Sequence, residues 1–213
     1  MNLDIIGIAD HNSTYHAPLI KKLGAKAGIY VLMGTEVTTR EDVHCLTFFE
    51  NETDLNFFQK YIDANLPFIR NKPELLGYQV VVDEQEHILR EVPGYLGVGL
   101  DQSIDEVRLI VREMGGIFIP AHVDRPRYGV ISQLGFLPDD LQPDAIEIFG
   151  IYSKEDFLAR NPDLGKYTLI KSSDSHTLAQ LGKRFSEFIL EEASFSEIKM
   201  ALDQKNGREV RIE

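Results

Sequence analysis

Six residues of this chain combine metal-ligating chemistry with suggestive placement: His11, Glu36, His44, His122, Asp174 and His176. Imidazole and carboxylate groups together suit zinc, manganese or iron, and one carboxylate can bridge two ions. A pair of such ions can clamp the attacking and leaving oxygens of a phosphoryl group and generate hydroxide near neutral pH. The chemistry that follows is hydrolysis of a phosphate ester. The six positions are scattered from residue 11 to residue 176, so only a fold that gathers distant loops could assemble them.

The elements needed for that gathering can be read from apolar patterning. Short β-rich runs fall at residues 3–8, 28–33, 43–49, 116–120, 145–149, 167–171 and 188–190, the last read as the final strand. His11, Glu36, His122, Asp174 and His176 each follow the C-terminal end of a predicted strand. In an α/β barrel those ends share one face, where active sites are built from several strands. His44 stands near the start of its run instead, so this argument supports it less. Asp174-Ser175-His176 in extended form would aim two ligands the same way, because residues two apart share a side. Between the strands, Ser103-Ile104-Asp105-Glu106 is a capping box for a helix to about Met114, closed by Gly115-Gly116. Ser194-Phe195-Ser196-Glu197 is a second box, before a helix expected to end near Gly207. Alternating strands and helices imply an α/β protein with a mainly parallel sheet or barrel. Residues 73–99 break the rhythm and read as a hairpin insertion, a lid or edge flap within a single domain over 1–213.

Composition limits the setting. The chain has 213 residues, 43% hydrophobic and 26% charged, as in ordinary globular proteins. Its apolar runs are too short to cross a bilayer, and the N-terminal segment lacks a basic leader. Cys45 is the single cysteine, so no internal disulfide can form, and a reducing cytoplasm is the simplest compartment. A formal net charge of -12 argues against broad nucleic-acid binding. It leaves room for a small phosphorylated substrate, because bound cations reverse the local field.

Together the segments Ile8-Ala9-Asp10-His11-Asn12, Gly34-Thr35-Glu36-Val37-Thr38-Thr39, Val43-His44, Pro120-Ala121-His122 and Ser173-Asp174-Ser175-His176 resemble the successive motifs of the PHP (polymerase and histidinol phosphatase) family. Order and approximate spacing match from residue 3 to about residue 184. The resemblance implies a distorted (β/α)7 barrel, similar to a TIM barrel, with up to three divalent metals. It implies that Glu36 bridges two ions, that His44 and His122 complete one of those positions, that Asp174 helps hold the first metal, and that His11 and His176 bind a third. Members of that family include histidinol-phosphate phosphatases, nucleoside-phosphate phosphoesterases and exonuclease domains of polymerases. The implied activity is hydrolysis of a phosphomonoester or phosphodiester by metal-bound hydroxide. The family usually opens with a strand ending in His-x-His, followed by another histidine, and no such unit precedes His11 here. The expected barrel therefore lacks its first strand, and one or two of its three metal sites are incomplete. A shortened chain or a misplaced start accounts for this; a natural chain with fewer metals, or one completed by a partner subunit, is the alternative. Two other functions stay open: a metal-binding regulatory domain without catalysis, and an amidohydrolase acting on C–N bonds.

Other residues carry weaker signals. Arg125 suits bidentate phosphate recognition and could join Glu36 and Asp174 in catalysis, or could simply pair with Asp124. Lys183 and Arg184 could contact phosphate, although an exposed helix-end pair is the plainer reading. Asp10 reads as a residue that orients a histidine, and ligating imidazoles usually have such partners. His16 reads as a surface residue near a helix start and His87 as an exposed hairpin residue. Cys45 reads as a buried, inert thiol and Tyr78 and Tyr95 as candidate pocket walls. Ser172, Ser173 and Ser175 read as turn residues, because no base pattern accompanies them.

Overall fold

In the computed structural model, which describes residues 3–150 and 153–212, the chain alternates strands and helices in the order its patterning suggests. Met1, Asn2, Ile151, Tyr152 and Glu213, parts of the expected 1–213 domain, lie outside the described residues. Strand β1 (Ile5–Ile8) is followed by helix α1 (Ala17–Lys26), with Pro18 in its first turn, then β2 (Tyr30–Thr38), β3 (His44–Phe49) and α2 (Glu52–Asn65). The insertion comprises the short helix α3 (Pro73–Leu76) and the antiparallel hairpin β4 (Val80–Val82) and β5 (Ile88–Glu91), as expected for residues 73–99. Helix α4 (Ile104–Glu113) opens with the reciprocal capping box, Ser103 accepting from the Glu106 N–H and Glu106 accepting from the Ser103 N–H. Then come β6 (Ile117–Pro120), α5 (Val130–Leu134), β7 (Ile146–Glu147), α6 (Lys154–Arg160), a 3-10 turn (Pro162–Lys166), β8 (Leu169–Ile170), β9 (Glu187–Ile189), α7 (Phe195–Leu202) and β10 (Glu209–Arg211).

Helix α7 departs from its expected form. Ser194 caps it, but Glu197 turns away to accept from the Glu191 N–H and to bind Arg208, and the helix stops at Leu202, short of Gly207. Beyond it β10 pairs antiparallel with β9, so the run at 188–190 is not the last strand.

The sheet that positions the site has the order β1-β2-β3-β6. β1 and β2 are parallel, whereas β3 runs antiparallel to both β2 and β6. The expected mainly parallel sheet is thus corrected at β3. Backbone bonds from Val123 N–H to Glu147 O (2.8 Å) and from Asp144 N–H to Phe118 O (3.0 Å) carry the end of β6 onto β7, which pairs in parallel with β8. Among the described residues the strands form one four-stranded and three two-stranded sheets rather than a closed barrel.

Alternation along the central strands separates two apolar cores. Met33, Val37, Cys45, Phe49 and Phe118 face a core shared with α2 and α4 through Leu55, Phe58, Ile62, Val107 and Val111. Tyr30, Leu32, Leu46, Phe48, Ile117 and Ile119 face the opposite core under α7, with Phe195, Ile198 and Leu202. Among the described residues no helix is long and apolar enough to cross a membrane.

Candidate metal centre

The reversal of β3 explains how His44 reaches the site. An antiparallel strand presents its first residue at the edge where its parallel neighbours present their last ones. Thr38 therefore pairs with His44, and Cys45 with Pro120, which places His44 between the exits of β2 and β6. Glu36 pairs with Leu46, so Glu36 and His44 are diagonal neighbours on one sheet face. Glu36 lies inside β2 rather than beyond its end, a correction to the predicted strand of 28–33. His11 joins the same ladder through a parallel bridge to Glu36, with Asn12 N–H bonded to Glu36 O (2.9 Å) and Glu36 N–H to Asp10 O (3.1 Å).

Four of the six predicted ligands meet here. Glu36 Oε2 lies 3.2 Å from both His11 Nδ1 and His44 Nδ1, and Glu36 Oε1 lies 3.5 Å from His122 Nε2. His44 Nδ1 and His122 Nε2 are 3.3 Å apart. These are hydrogen-bond and ion-pair separations, and they draw four groups of metal-ligating type into one cluster. His11, Glu36 and His44 have ligand atoms within 4.8 Å of one another, and His11 Nδ1 is buried without a hydrogen-bond partner. The donor set and this orphaned nitrogen both fit a zinc-like or manganese-like ion.

Burial alone would raise the Glu36 carboxyl, but the imidazoles of His122, His44 and His11 outweigh it and hold the group well below the usual carboxylate range. Burial lowers the His11 imidazole despite the opposing pull of Glu36. Both groups are therefore in their ligating forms at neutral pH.

Supporting contacts fix these side chains. His122 adopts a left-handed backbone (φ 32), rare for a non-glycine residue, and its N–H donates to Glu147 Oε2 at 2.9 Å. Glu147 also accepts from the Ser172 hydroxyl and is almost fully buried, which raises its carboxyl. The His44 ring stacks on Tyr128, with centroids 4.3 Å apart and planes 9° from parallel, and its backbone N–H donates to Tyr128 O. Asn12, fully buried, accepts from Thr38 N–H and donates to Leu96 O and Val98 O, tying the β1 exit to β2 and to the chain leaving the insertion.

Asp174 and His176 border the four, close enough to act on the charge of His11, but do not share the contacts to Glu36. Asp174 Oδ2 receives Arg125 Nη1 at 2.6 Å, and His176 Nδ1 lies 3.2 Å from Asp174 O. The expected extended Asp174-Ser175-His176 geometry does not form, because Asp174 is left-handed (φ 42) and breaks the alternation. The His176 ring centroid lies 6.0 Å from that of His11. Arg125 is engaged by Asp174 rather than by Asp124, which accepts from the Phe149 N–H instead.

The expected orientation of a ligating histidine by Asp10 does not form, since Asp10 faces His16, and Lys183 and Arg184 lie in a loop rather than at a helix end. Asp10 pairs with His16 at 3.1 Å, and His16 Nε2 accepts from Val82 N–H, fastening the hairpin to α1. His87 is exposed and pairs with Asp83. Cys45 is fully buried, which pushes its thiol up, as an inert core cysteine requires. Tyr78 is largely exposed on the insertion. Glu147 and Tyr128 escaped the sequence reading; a charged residue inside the apolar run 145–149 was the available signal for the first.

Comparison with known proteins places this geometry in context. No family model matches the chain. It is 26% identical over 190 residues to the uncharacterised protein YqxK of Bacillus subtilis (strain 168), an alignment covering 84% of this chain and 43% of that protein. Among solved structures it is similar to the lesion-specific endonuclease Q of Pyrococcus furiosus, with a TM-score of 0.68 and 18% identity over 98% of this chain and 49% of that one. A structure of endonuclease Q with a 27-mer duplex bearing an abasic lesion at the active site gives a TM-score of 0.69, again at 18% identity, covering 97% of this chain and 50% of the other. A Bifidobacterium adolescentis structure described as a metal-dependent phosphoesterase gives a TM-score of 0.54 at 18% identity, covering 86% and 82%. These PHP-type neighbours bear out the fold resemblance read from the motifs. The chain spans about half the length of the endonuclease Q structures.

Proposed function

We propose that the protein is a metal-dependent phosphoesterase, a single hydrolase domain whose substrate is a phosphodiester of a nucleic-acid strand. The observation that carries this reading is the Glu36 carboxylate, whose two oxygens face imidazoles delivered by the β1 exit, the start of β3 and the β6 exit. Glu36 with His11, His44 and His122 would hold divalent ions here. Divalent ions held there supply Lewis acidity and an activated water at neutral pH. The chain's own residues supply the rest: Tyr128 and Glu147 orient His44 and His122, and Arg125 can turn its guanidinium from Asp174 toward a substrate phosphate.

The net charge of -12 pointed away from nucleic acid, yet it describes the whole surface and not the site. Endonuclease Q, which shares the fold, was solved with a DNA duplex, so the charge alone excludes nothing. The test is hydrolysis of bis(p-nitrophenyl) phosphate and p-nitrophenyl phosphate by protein loaded with manganese or zinc. Turnover of the diester, lost in Glu36→Gln, supports the reading; no turnover of either ester overturns it. The Arg125–Asp174 pair favours a second reading, a metal-binding regulatory domain, because it occupies a carboxylate that the first metal would use. That reading predicts tight metal binding without turnover.

A further inference from the structure

A cleft of about 650 Å³ is framed by the loop leaving β8 and by the β9–β10 pair. Five cationic side chains line it (Lys154, Lys171, Lys183, Arg184 and Arg211), against two carboxylates, Glu187 and Glu209. Local charge is thus inverted in a chain whose formal net charge is -12. Random placement of a minority of basic residues would not concentrate them in one concavity, where low-dielectric walls focus their field.

A chain of side-chain contacts runs from the cleft wall to Asp174. Phe149 is sandwiched between two guanidinium groups, Arg125 at 4.4 Å and Arg184 at 4.0 Å from its ring centroid. Arg184 also donates to Phe149 O at 2.6 Å, and Arg125 donates to Asp174. One end of this stack therefore touches a candidate ligand and the other forms the cleft wall. Among the described residues neither Lys154 nor Lys183 has a carboxylate within ion-pair distance, whereas Arg211 is held by Glu209 and Arg208 by Glu191 and Glu197. Two ammonium groups in the cleft are thus uncommitted, as a site for mobile phosphates requires.

We propose that this cleft binds the phosphates flanking the scissile one, guiding a nucleic-acid strand from the β9–β10 pair past Arg184 and Arg125 to the metal centre. The proposal rests on the phosphodiesterase reading above but concerns binding rather than turnover. A site for one small phosphate would need one or two cations; Lys154, Lys183 and Arg184, three cations with no carboxylate partner among the described residues, suit consecutive phosphodiesters. Each phosphate neutralised releases a condensed counterion, so affinity should fall steeply with salt.

The experiment measures binding of a fluorescein-labelled 20-nucleotide strand, single and duplex, by anisotropy in EDTA across a salt series. Turnover is then silent, so loss of hydrolysis and loss of strand binding are read separately. Lys154→Glu with Lys183→Glu is expected to weaken binding about tenfold or more and to flatten the log–log salt slope by about one for each phosphate no longer neutralised. Lys60→Glu with Arg112→Glu, on α2 and α4, changes the net charge equally and should alter binding far less. Circular dichroism of both double variants checks folding. Equal weakening by both pairs, or no strand binding by the parent protein at low salt, would overturn the proposal. So would displacement of the strand by millimolar inorganic phosphate at constant ionic strength, which would mark a single-phosphate site.

Discussion

At Glu36 burial and charge oppose each other, and the imidazoles win. The same balance at His11 goes to burial, which keeps the ring neutral below its ordinary value of 6.5. The unfolded chain therefore takes up a proton at His11 that the folded chain refuses. The His11 contribution to stability of the metal-free protein is fully present above pH 6.5 and declines as pH falls through that value toward the lower folded pKa, whereas His16, raised by Asp10, and Glu147, raised by burial, act in the opposite sense. Glu36 adds nothing to this slope, because its contribution is lost only below its unfolded value near 4.5. In urea titrations of metal-free protein at about pH 8 and about pH 5.5, the parent should lose more stability, or gain less, than His11→Gln on going to the lower pH. An equal change in parent and variant would refute this account of His11. Glu147 allows a second test. Replacing it by alanine leaves the His122 N–H and the Ser172 hydroxyl without their acceptor, at a cost of about 1–3 kcal/mol. Metal affinity, measured by chelator competition, should fall roughly 10- to 100-fold, as for other residues that orient ligands. Glu147→Gln keeps an acceptor and should recover part of both losses. Glu147 was illegible as a site residue because its chemistry depends on β6 and β8 lying on either side of β7, a neighbourhood no local pattern reports. His11, Glu36, His44 and His122 were legible because their residue types, and for His11 and His122 their positions at strand exits, already narrow the chemistry.

The direction of β3 was the element-scale feature that apolar patterning missed. A hydrophobic run reads the same in either direction. The informative feature was the connection: residues 39–43 are too few for a parallel crossover, which needs a dozen or more. A hairpin, and hence His44 beside Thr38, follows from that length alone. The hairpin also demands close approach. Gly34 faces Phe48 across the ladder, and a Cβ there would come within 2.0 Å of Thr47 O. Backbone cannot yield as a flexible side-chain tip can, so Gly34→Ala should force β2 and β3 apart. We expect destabilisation of about 1–3 kcal/mol or more by urea denaturation, with weakened metal binding because Glu36 and His44 separate. A variant of unchanged stability and metal affinity would show that this approach does not set the spacing of the two ligands. β10 was missed for a simpler reason: three residues, Glu209–Arg211, are too short for alternation to register.

At the scale of the whole molecule, the candidate ligands add a further tie between strands already joined by their ladders and by the two cores. His11 leaves β1, Glu36 sits in β2, His44 begins β3 and His122 follows β6, so one centre touches all four strands of the main sheet. An ion bound there binds the folded state and finds no preformed site in the unfolded chain, so its binding free energy adds to folding stability. At a free metal concentration about 100 times the dissociation constant the gain is about 2.7 kcal/mol. For a chain of this size each kcal/mol shifts the midpoint by about 2–4 °C, which gives a rise of roughly 5–10 °C. Thermal melts in EDTA and in graded zinc or manganese should therefore move apart in proportion to the logarithm of free metal. Because the Glu36 carboxylate faces three imidazoles that hold it ionised, Glu36→Gln should abolish most of the shift and also lower the melt in EDTA, since those imidazoles lose their counter-charge. Arg125→Ala should behave differently. It frees Asp174 without touching the Glu36 cluster, so the metal-dependent rise should persist or grow. Loss of the rise in Arg125→Ala but not in Glu36→Gln would move the principal metal position from Glu36 to Asp174.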